Sequence, residues 1–306
     1  MLSAKTRSVI RLDSKVIKKY IRAGKIARKA LEEAKKVCEE GTSYLEVANK
    51  AENVIYDNGA KPAFPTNISV NSVGAHYTPS ENDKNVLKKG DLVKIDIGCH
   101  VDGYIADNAQ TVEIGTKRHR SLIKASEEAL DIAIKSIRPG IRTRDIGKNI
   151  ERIIQDRGFN PISNLTGHEV KRYVLHTGTS IPNVPKGWKK IKKGMVLAVE
   201  PFATDGRGRV KEGDPGGIYR IKKKRNIEGE DLHFHEWIKE NFDELPFAGR
   251  WCKEYSDDYE DLLNRLKRFG TLMNYPVLVE KKKGLISQRE HTVIVTSKGC
   301  RVTTKL

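Results

Sequence analysis

The 306-residue sequence is poor in cysteine, and its four cysteines are scattered without a C-x-x-C pair. Such spacing predicts neither a disulfide framework nor a zinc ribbon, so free thiols in a reducing compartment are the simpler expectation. No apolar run approaches the length of a membrane span, and residues 1–20 lack the apolar centre of a signal peptide. We therefore expect a cytoplasmic protein that binds no membrane.

Acidic side chains are in the minority, with 40 Asp and Glu against 57 Lys and Arg and a net charge of +17. Lysine is dense at residues 186–193, 221–225 and 280–284. Such surfaces attract polyanions, so ribosomal RNA is one partner hypothesis. No aromatic platform or nucleic-acid motif is evident beside the charge, and a general lysine bias on solvated faces is the alternative.

The stretch DIGCHVDGYIAD, residues 96–107, predicts a β-hairpin with Asp102-Gly103 in its turn. In that register Gly98 faces Asp107, and Asp96 becomes a diagonal neighbour of Asp107, about 7–8 Å away on the same face. The opposite face is apolar and suits a core, with Val93, Ile95, Ile97 and Cys99. Two like charges on one face indicate either a solvent-facing hairpin or a bound cation.

An internal repeat organises the chain. Helical patterns at residues 14–40 and 43–58, the second opened by a Ser43-x-x-Glu46 capping box, are followed by similar patterns at 121–137 and 143–157. With a constant offset of 99, seven positions match in the two halves: Gly41 and Gly140, Glu46 and Asp145, Glu52 and Glu151, Ile55 and Ile154, Asp57 and Asp156, Gly59 and Gly158, Pro62 and Pro161.

The repeat continues into strands, where KKGDLVKID at 88–96 parallels KKGMVLAVE at 192–200 and makes Glu200 the counterpart of Asp96. We expect an α+β fold in which each half has two helices followed by antiparallel strands. One sheet would be shared by the halves, with helices on its outer face and the functional site on the other. The polar sequence at 207–275 predicts a helical insertion. A strand at 285–295 would follow it and complete the second half.

Three further polar residues interrupt apolar strands or a tight turn: Glu200, Glu290 and His168. Singly, each is more often a salt-bridged or rim residue, because a buried glutamate is costly unless it is paired or bound to metal. Together with Asp96 and Asp107 they predict one site of four carboxylates and one imidazole. Such ligands favour Mn, Fe(II) or Co over a thiolate zinc site, and four negative charges suit two metals roughly 3.5–4 Å apart.

These residues resemble the metal ligands of the methionine aminopeptidases of the pita-bread fold, in the M24 metallopeptidase family. The contexts KIDIG, IAD, TGH, VEPF and EHT carry the resemblance, and it covers nearly the whole chain. It implies that Asp96, Asp107, His168, Glu200 and Glu290 bind two divalent ions: Mn, Fe(II) or Co, with zinc as an alternative. The insertion, and the lack of a long charged N-terminal extension, resemble the archaeal type II form.

The resemblance also implies a single catalytic domain over residues 1–306 and a monomer that removes the N-terminal methionine of nascent polypeptides. A metal-bridging hydroxide would attack the first peptide bond, and Glu200 would relay its proton to the leaving amine. His76 in AHYTP and His176 in LHTG would be catalytic and contact the substrate. A methionine pocket would be lined by Phe64, Leu175 and Phe202.

The sequence departs from the family pattern at Asn108, Leu285 and Arg289, which leaves the pocket rim less well specified than the ligands. The histidines of HFHE at 233–236, like His100 and His119, are expected at the surface. Two alternatives stay open. Xaa-Pro dipeptidases share the five ligands but usually carry an extra N-terminal domain, and non-catalytic RNA-binding or ribosome-binding proteins of this fold have lost ligands.

Overall fold

The first half of the fold is built as the repeat predicts. A computed structural model describes residues 12–222 and 226–305 of the chain. Two helices precede four strands: α1 (Ser14–Lys36), α2 (Tyr44–Asp57), β1 (Lys61–Val70), β2 (Val73–Ala75), β3 (Leu92–Val101) and β4 (Tyr104–Glu113). The backbone N–H of Glu46 donates to Ser43 Oγ at 3.1 Å, which confirms the predicted cap.

The second half repeats the helix pair before its strands. Its elements are α3 (Arg120–Ser136), α4 (Thr143–Asp156), β5 (Asn160–Pro161), β6 (Thr166–Val170), β7 (Ser180–Pro182), β8 (Val196–Val199), β9 (Phe202–Thr204), β10 (Val210–Ile221), α5 (Gly229–Phe242), β11 (Phe247–Ala248), α6 (Tyr259–Arg268), β12 (Leu272–Glu280), β13 (Ile286–Gln288), β14 (His291–Val295) and β15 (Cys300–Val302). A short 3-10 helix, Gly249–Glu254, precedes α6. The repeated glycines Gly59 and Gly158 follow α2 and α4 with φ of +67° and +80°, a conformation that costs glycine little.

The hairpin of β3 and β4 has the predicted register, with Val101 opposite Tyr104 and Gly98 opposite Asp107. Its apolar face is buried against α1 and α2 in one core cluster that contains Val93, Ile95, Ile97 and Cys99. A second cluster packs α3 and α4 against β8 and β14. Each helix pair therefore covers the strands of its own half.

The prediction of one shared sheet is wrong, because the described strands form four separate sheets. The expected strand at 285–295 is divided: β13 pairs with β9, whereas β14 pairs with β8. Arg289 and Glu290 lie between β13 and β14. The halves meet in one of these sheets, where β2 pairs with β12. They also meet at an isolated bridge between Gln110 and Arg289.

The predicted insertion at 207–275 is helical only in its middle. Its ends belong to β10 and β12, which pair with each other as antiparallel strands. Helices α5 and α6 pack with the 3-10 helix around their own apolar cluster. Among the described residues, no helix is apolar enough over a sufficient length to cross a bilayer.

Two surface assignments are wrong, since His235 of α5 is 3% exposed and His100 is 8% exposed. His100 accepts a hydrogen bond from Gly103 N at Nδ1 and packs edge-on to Tyr173. Burial lowers the pKa of His100 to about 4, so the imidazole is neutral and no charge is buried with it. His233 is exposed and His119 is half-buried.

A buried ion pair fastens the insertion to the first half. Arg250, in the 3-10 helix, donates to Glu52 Oε1 of α2 at 2.5 Å and to Thr78 Oγ1 at 2.8 Å. Trp251 Nε1 donates to the other oxygen of Glu52 at 2.9 Å, and Thr66 N donates to Glu52 Oε1 at 3.1 Å. Each of the two buried charges therefore has several hydrogen-bond partners, which offset the cost of removing the charges from water.

We expect Arg250→Met to destabilise the protein by about 3–5 kcal/mol, because Glu52 would be left as a buried carboxylate without its cation. Urea unfolding monitored by circular dichroism would measure the change in the free energy of unfolding. The control is Glu230→Gln, which removes an exposed ion pair with Arg265 and should cost less than about 1 kcal/mol. Equal destabilisation in the two variants would contradict the anchoring role.

Candidate metal centre and substrate pocket

The five predicted ligands converge on one pocket at the junction of the halves. The hairpin supplies Asp96 from β3 and Asp107 from β4, which its turn holds on one face. His168 lies within β6, Glu200 directly follows β8, and Glu290 lies between β13 and β14. Strands or strand ends therefore position every member, which fixes the side chains more rigidly than long loops would.

The polar atoms of the cluster lie within the reach of a shared cation. His168 Nε2 is 3.5 Å from Asp107 Oδ2 and 3.6 Å from Glu200 Oε1. One potential ligand atom from each of Asp107, His168 and Glu290 lies within 4.8 Å of the other two. Asp96 belongs to the same group, since it lines the same pocket and shares the Gln288 amide with Glu290.

Hydrogen bonds between the halves hold the ligands in register. Thr292 Oγ1 accepts from Asp107 N at 2.7 Å and donates to Asp107 O at 2.9 Å. Glu290 N donates to Ala109 O at 3.0 Å. The backbone that carries a ligand from the first half is thus bonded to the segment that carries one from the second.

Burial controls the protonation of the site. It raises the pKa of Asp107 to about 7 and raises the pKa of Asp96, Glu200 and Glu290 well above their usual values. The charge of Asp107 raises the pKa of the other three further. Burial lowers the pKa of His168 to about 4, so its imidazole is neutral, as a metal ligand must be.

The donor set fits divalent metal ions. Buried oxygen atoms of three carboxylates have no hydrogen-bond partner: Asp96 Oδ1, Asp107 Oδ1 and Glu290 Oε1. Buried polar atoms are normally satisfied, and several unsatisfied carboxylate oxygens directed at one place are what a cation would need. Carboxylates with one imidazole suit hard to borderline divalent ions.

The sequence reasoning missed Gln288, which orients two of the ligands. Its Nε2 donates to Asp96 Oδ2 at 3.2 Å and to Glu290 Oε2 at 3.3 Å. Thr111 holds the backbone of Gln288 from both sides, donating to its carbonyl and accepting from its N–H at 2.8 Å each. Gln288 lies two residues before Glu290 on the strand pattern, and that spacing was its only signal.

The two predicted substrate histidines also reach the pocket. The ring of His176 lies 4.2 Å from that of His168 between centroids, and the ring of His76 packs edge-on to Tyr275. Burial lowers the pKa of His76 to about 4 and that of His176 to about 3. Both imidazoles are therefore neutral at physiological pH.

The cavity that contains the five predicted ligands is lined by two of the three residues predicted for a methionine pocket. Phe64 and Leu175 line it, and Phe64 reaches it because its partner on β3 is Gly98, where a Cβ would lie 2.1 Å from the phenyl ring. Phe202 does not line the pocket. Its side chain packs between strands in a separate core cluster with Ile162, Val210 and Ile286.

Neither departure in the 285–289 segment enters the pocket. Leu285 packs against the core of the second half, and Arg289 Nη1 donates to Ala109 O at 3.2 Å. Five pocket residues escaped the sequence reasoning, and two of them, Asn67 and Ala75, lie in the first half. The other three are Ile218 of β10, Pro246 before β11 and Tyr275 of β12. All three come from the insertion, which therefore forms an apolar wall of the pocket.

Comparison with known proteins agrees with this geometry. The profile of "Metallopeptidase family M24" matches residues 18–297. The chain belongs to metallopeptidase family M24. A methionine aminopeptidase from Methanocaldococcus jannaschii is similar to it, with 46% identity over 94% of this chain and 98% of that protein.

Solved structures of related folds superpose over nearly the whole M24 chain. Methionine aminopeptidase from Thermotoga maritima aligns with a TM-score of 0.71 and 26% identity, over 97% of this chain and all of that one. A thermophilic Arx1 aligns with a TM-score of 0.84 over 96% of this chain and 91% of that one, but at 18% identity, which shows the fold alone. The pita-bread fold is thereby confirmed for this M24 protein.

We expect Gln288→Leu to weaken Mn²⁺ binding about 10-fold to 100-fold, because the amide orients two ligand carboxylates. Equilibrium dialysis of the purified protein would measure the dissociation constant directly. Gln155→Leu is the matched control, since Gln155 is an exposed residue of α4 and its replacement should leave metal affinity unchanged. Unaltered affinity in Gln288→Leu would rule out the orienting role.

Proposed function

We propose that the protein removes N-terminal methionine from nascent polypeptides by metal-dependent hydrolysis of the first peptide bond. The observation that carries the proposal is the convergence of four carboxylates and a neutral imidazole beside an apolar pocket with two further neutral histidines. The identity of 46% to an archaeal methionine aminopeptidase supports the same activity.

We assign Asp96, Asp107, His168, Glu200 and Glu290 as the residues that would hold two divalent ions, with Mn, Fe(II), Co or Zn as the candidates. Bound there, the ions would lower the pKa of water, supply a nucleophile at neutral pH and polarise the scissile carbonyl. Two divalent cations would also balance four carboxylate charges. This balance is the reason for preferring two ions to one.

The protein side chains complete the reaction. Glu200 takes the proton of the attacking water and delivers it to the nitrogen of the breaking C–N bond. The N–H of neutral His176 donates to the oxygen that gains negative charge as the carbonyl carbon becomes tetrahedral. His76, whose ring packs against Tyr275, contacts the scissile amide or the backbone of the second residue.

Methionine selection follows from the apolar part of the pocket. Phe64 and Leu175 face the insertion residues Ile218, Pro246 and Tyr275 around one cavity. None of these five side chains carries a charge, and a flexible thioether fits such a surface well. A charged first side chain would lose its hydration without gaining a partner from them.

We expect Glu200→Gln to lower kcat for methionine release from Met-Ala-Ser and Met-Gly peptides about 10²-fold to 10⁴-fold, because the amide cannot carry the proton. Assays with added Mn²⁺ or Co²⁺ would measure free methionine, and bound metal would be quantified in the same samples. Methionine release by the variant at the normal rate, or none from metal-loaded unmodified protein, would refute the proposal. Preferential cleavage of Xaa-Pro dipeptides would support the dipeptidase alternative instead.

We expect His176→Ala to lower kcat about 10²-fold to 10³-fold with a smaller change in KM, since the missing donor acts on charge that develops in the transition state. Steady-state kinetics on the same peptides would separate the two parameters. His119→Ala is the control, because His119 is half-buried outside the pocket. A rise in KM at unchanged kcat would assign His176 to substrate binding alone.

Other expectations remain proposals. They comprise the single catalytic domain over residues 1–306, the subdomain at 207–275, the cytoplasmic location and the monomeric state. The non-catalytic alternative is disfavoured because this chain keeps all five ligands. Ribosome association through the basic surface is also a proposal, and residues 223–225 of one basic run lie outside the described residues.

A further inference from the structure

An exposed tryptophan lies in the basic run at 186–193, although no aromatic platform was expected there from the sequence. Trp188 is 67% exposed, and no other large hydrophobic side chain among the residues described is as exposed. A large aromatic ring in water gives up the free energy of burial that most tryptophans gain. Tryptophans at the surface of proteins are often partner contacts for this reason.

The run at 186–193 is held against the start of α4 by backbone hydrogen bonds. Thr143 N donates to Lys189 O at 2.9 Å, and Arg144 N donates to Gly187 O at 3.2 Å. Gly140 N and Ile191 O form a third such bond at 2.9 Å. The surface is therefore an ordered two-segment platform, which we call the Trp188 platform and define as residues 138–144 and 186–193.

The charged side chains of the Trp188 platform are all positive. Its two segments contain three arginines, five lysines and no acidic residue. The guanidinium of Arg144 lies 4.2 Å from the centroid of the Trp188 ring, and that of Arg142 lies 5.4 Å away. These cation–π contacts orient the ring among the positive charges while most of its surface stays open to solvent.

The Trp188 platform also contacts the segment that follows His176. Lys189 Nζ donates to Gly178 O at 3.3 Å, and Gly178 lies two residues after His176. A polyanion bound on the platform would therefore lie near the loop that carries a pocket histidine.

We propose that the Trp188 platform binds RNA with unpaired bases, one base stacking on Trp188 while the lysines and arginines contact the neighbouring phosphates. An aromatic ring among cations is the combination that proteins use for single-stranded nucleic acid. The choice of RNA rests on the proposed function, because nascent polypeptides emerge from a particle whose surface is rich in RNA loops. A membrane or an acidic protein would use the charge but not require the stacked ring.

The test measures binding of a fluorescein-labelled oligoadenylate of about 12 nucleotides to the metal-loaded full chain by fluorescence anisotropy. We expect salt-dependent binding that Trp188→Ala weakens about tenfold and Trp188→Phe largely restores, since stacking needs an aromatic face. Affinity for an RNA duplex of equal length should be unaffected by Trp188→Ala. Methionine release from short free peptides should also be unchanged, because Trp188 lies outside the pocket.

Charge is tested by Lys190→Ala with Lys193→Ala, against Lys281→Ala with Lys282→Ala as a control of equal charge at another exposed basic run. The first pair should reduce the slope of log affinity against log salt concentration by about 0.7 for each phosphate that is no longer neutralised, and the control should not. The proposal is overturned by undetectable RNA binding, by equal affinity in Trp188→Ala, or by tighter binding to duplex RNA or to phosphatidylserine vesicles. Since the RNA-binding measurements do not depend on hydrolysis, their failure would leave the peptidase function intact.

Discussion

The burial of four carboxylates around one imidazole is the constraint on which the rest of the structure depends. Carboxylates removed from water and placed beside one another are costly unless protons or cations neutralise them. The raised pKa of Asp96, Glu200 and Glu290 reflects that cost. The surrounding fold must supply both the free energy that holds the acids in place and the geometry that lets cations bind them.

That free energy comes from faces of the same strands that point away from the site. On β3, Asp96 lies between Ile95 and Ile97, which with Val93 are fully buried against α1 and α2. A slip of the hairpin by one residue would put the acids into the core and the aliphatic side chains into the pocket. The hydrogen bonds of Thr292 with Asp107 extend the same fixed register to the second half.

Features encoded locally or by the repeat could be predicted, which includes the hairpin register, the helix pairs and all five candidate ligands. The division of the strands into four sheets and the strands at both ends of the insertion could not be predicted. Their partners lie far apart in sequence, as β9 does from β13. Gln288 escaped notice for a similar reason, since its role depends on Asp96, 192 residues away. Phe202 was misplaced because an aromatic residue next to a ligand predicts burial but not which of two apolar clusters it joins.

The insertion couples the pocket to the stability of the whole chain. Strand β10 approaches the first half so closely that a Cβ on Gly216 would lie 1.8 Å from His76 O, and Thr78 N donates to Gly216 O at 3.1 Å. His76 itself has a φ of +66°, a conformation that a non-glycine residue keeps only when its surroundings enforce it. The neighbouring Thr78 is in turn bonded to Arg250, the cation that satisfies Glu52. One contiguous set of contacts therefore joins the buried ion pair, the backbone of a pocket histidine and the apolar wall, so that the insertion cannot loosen without altering the pocket.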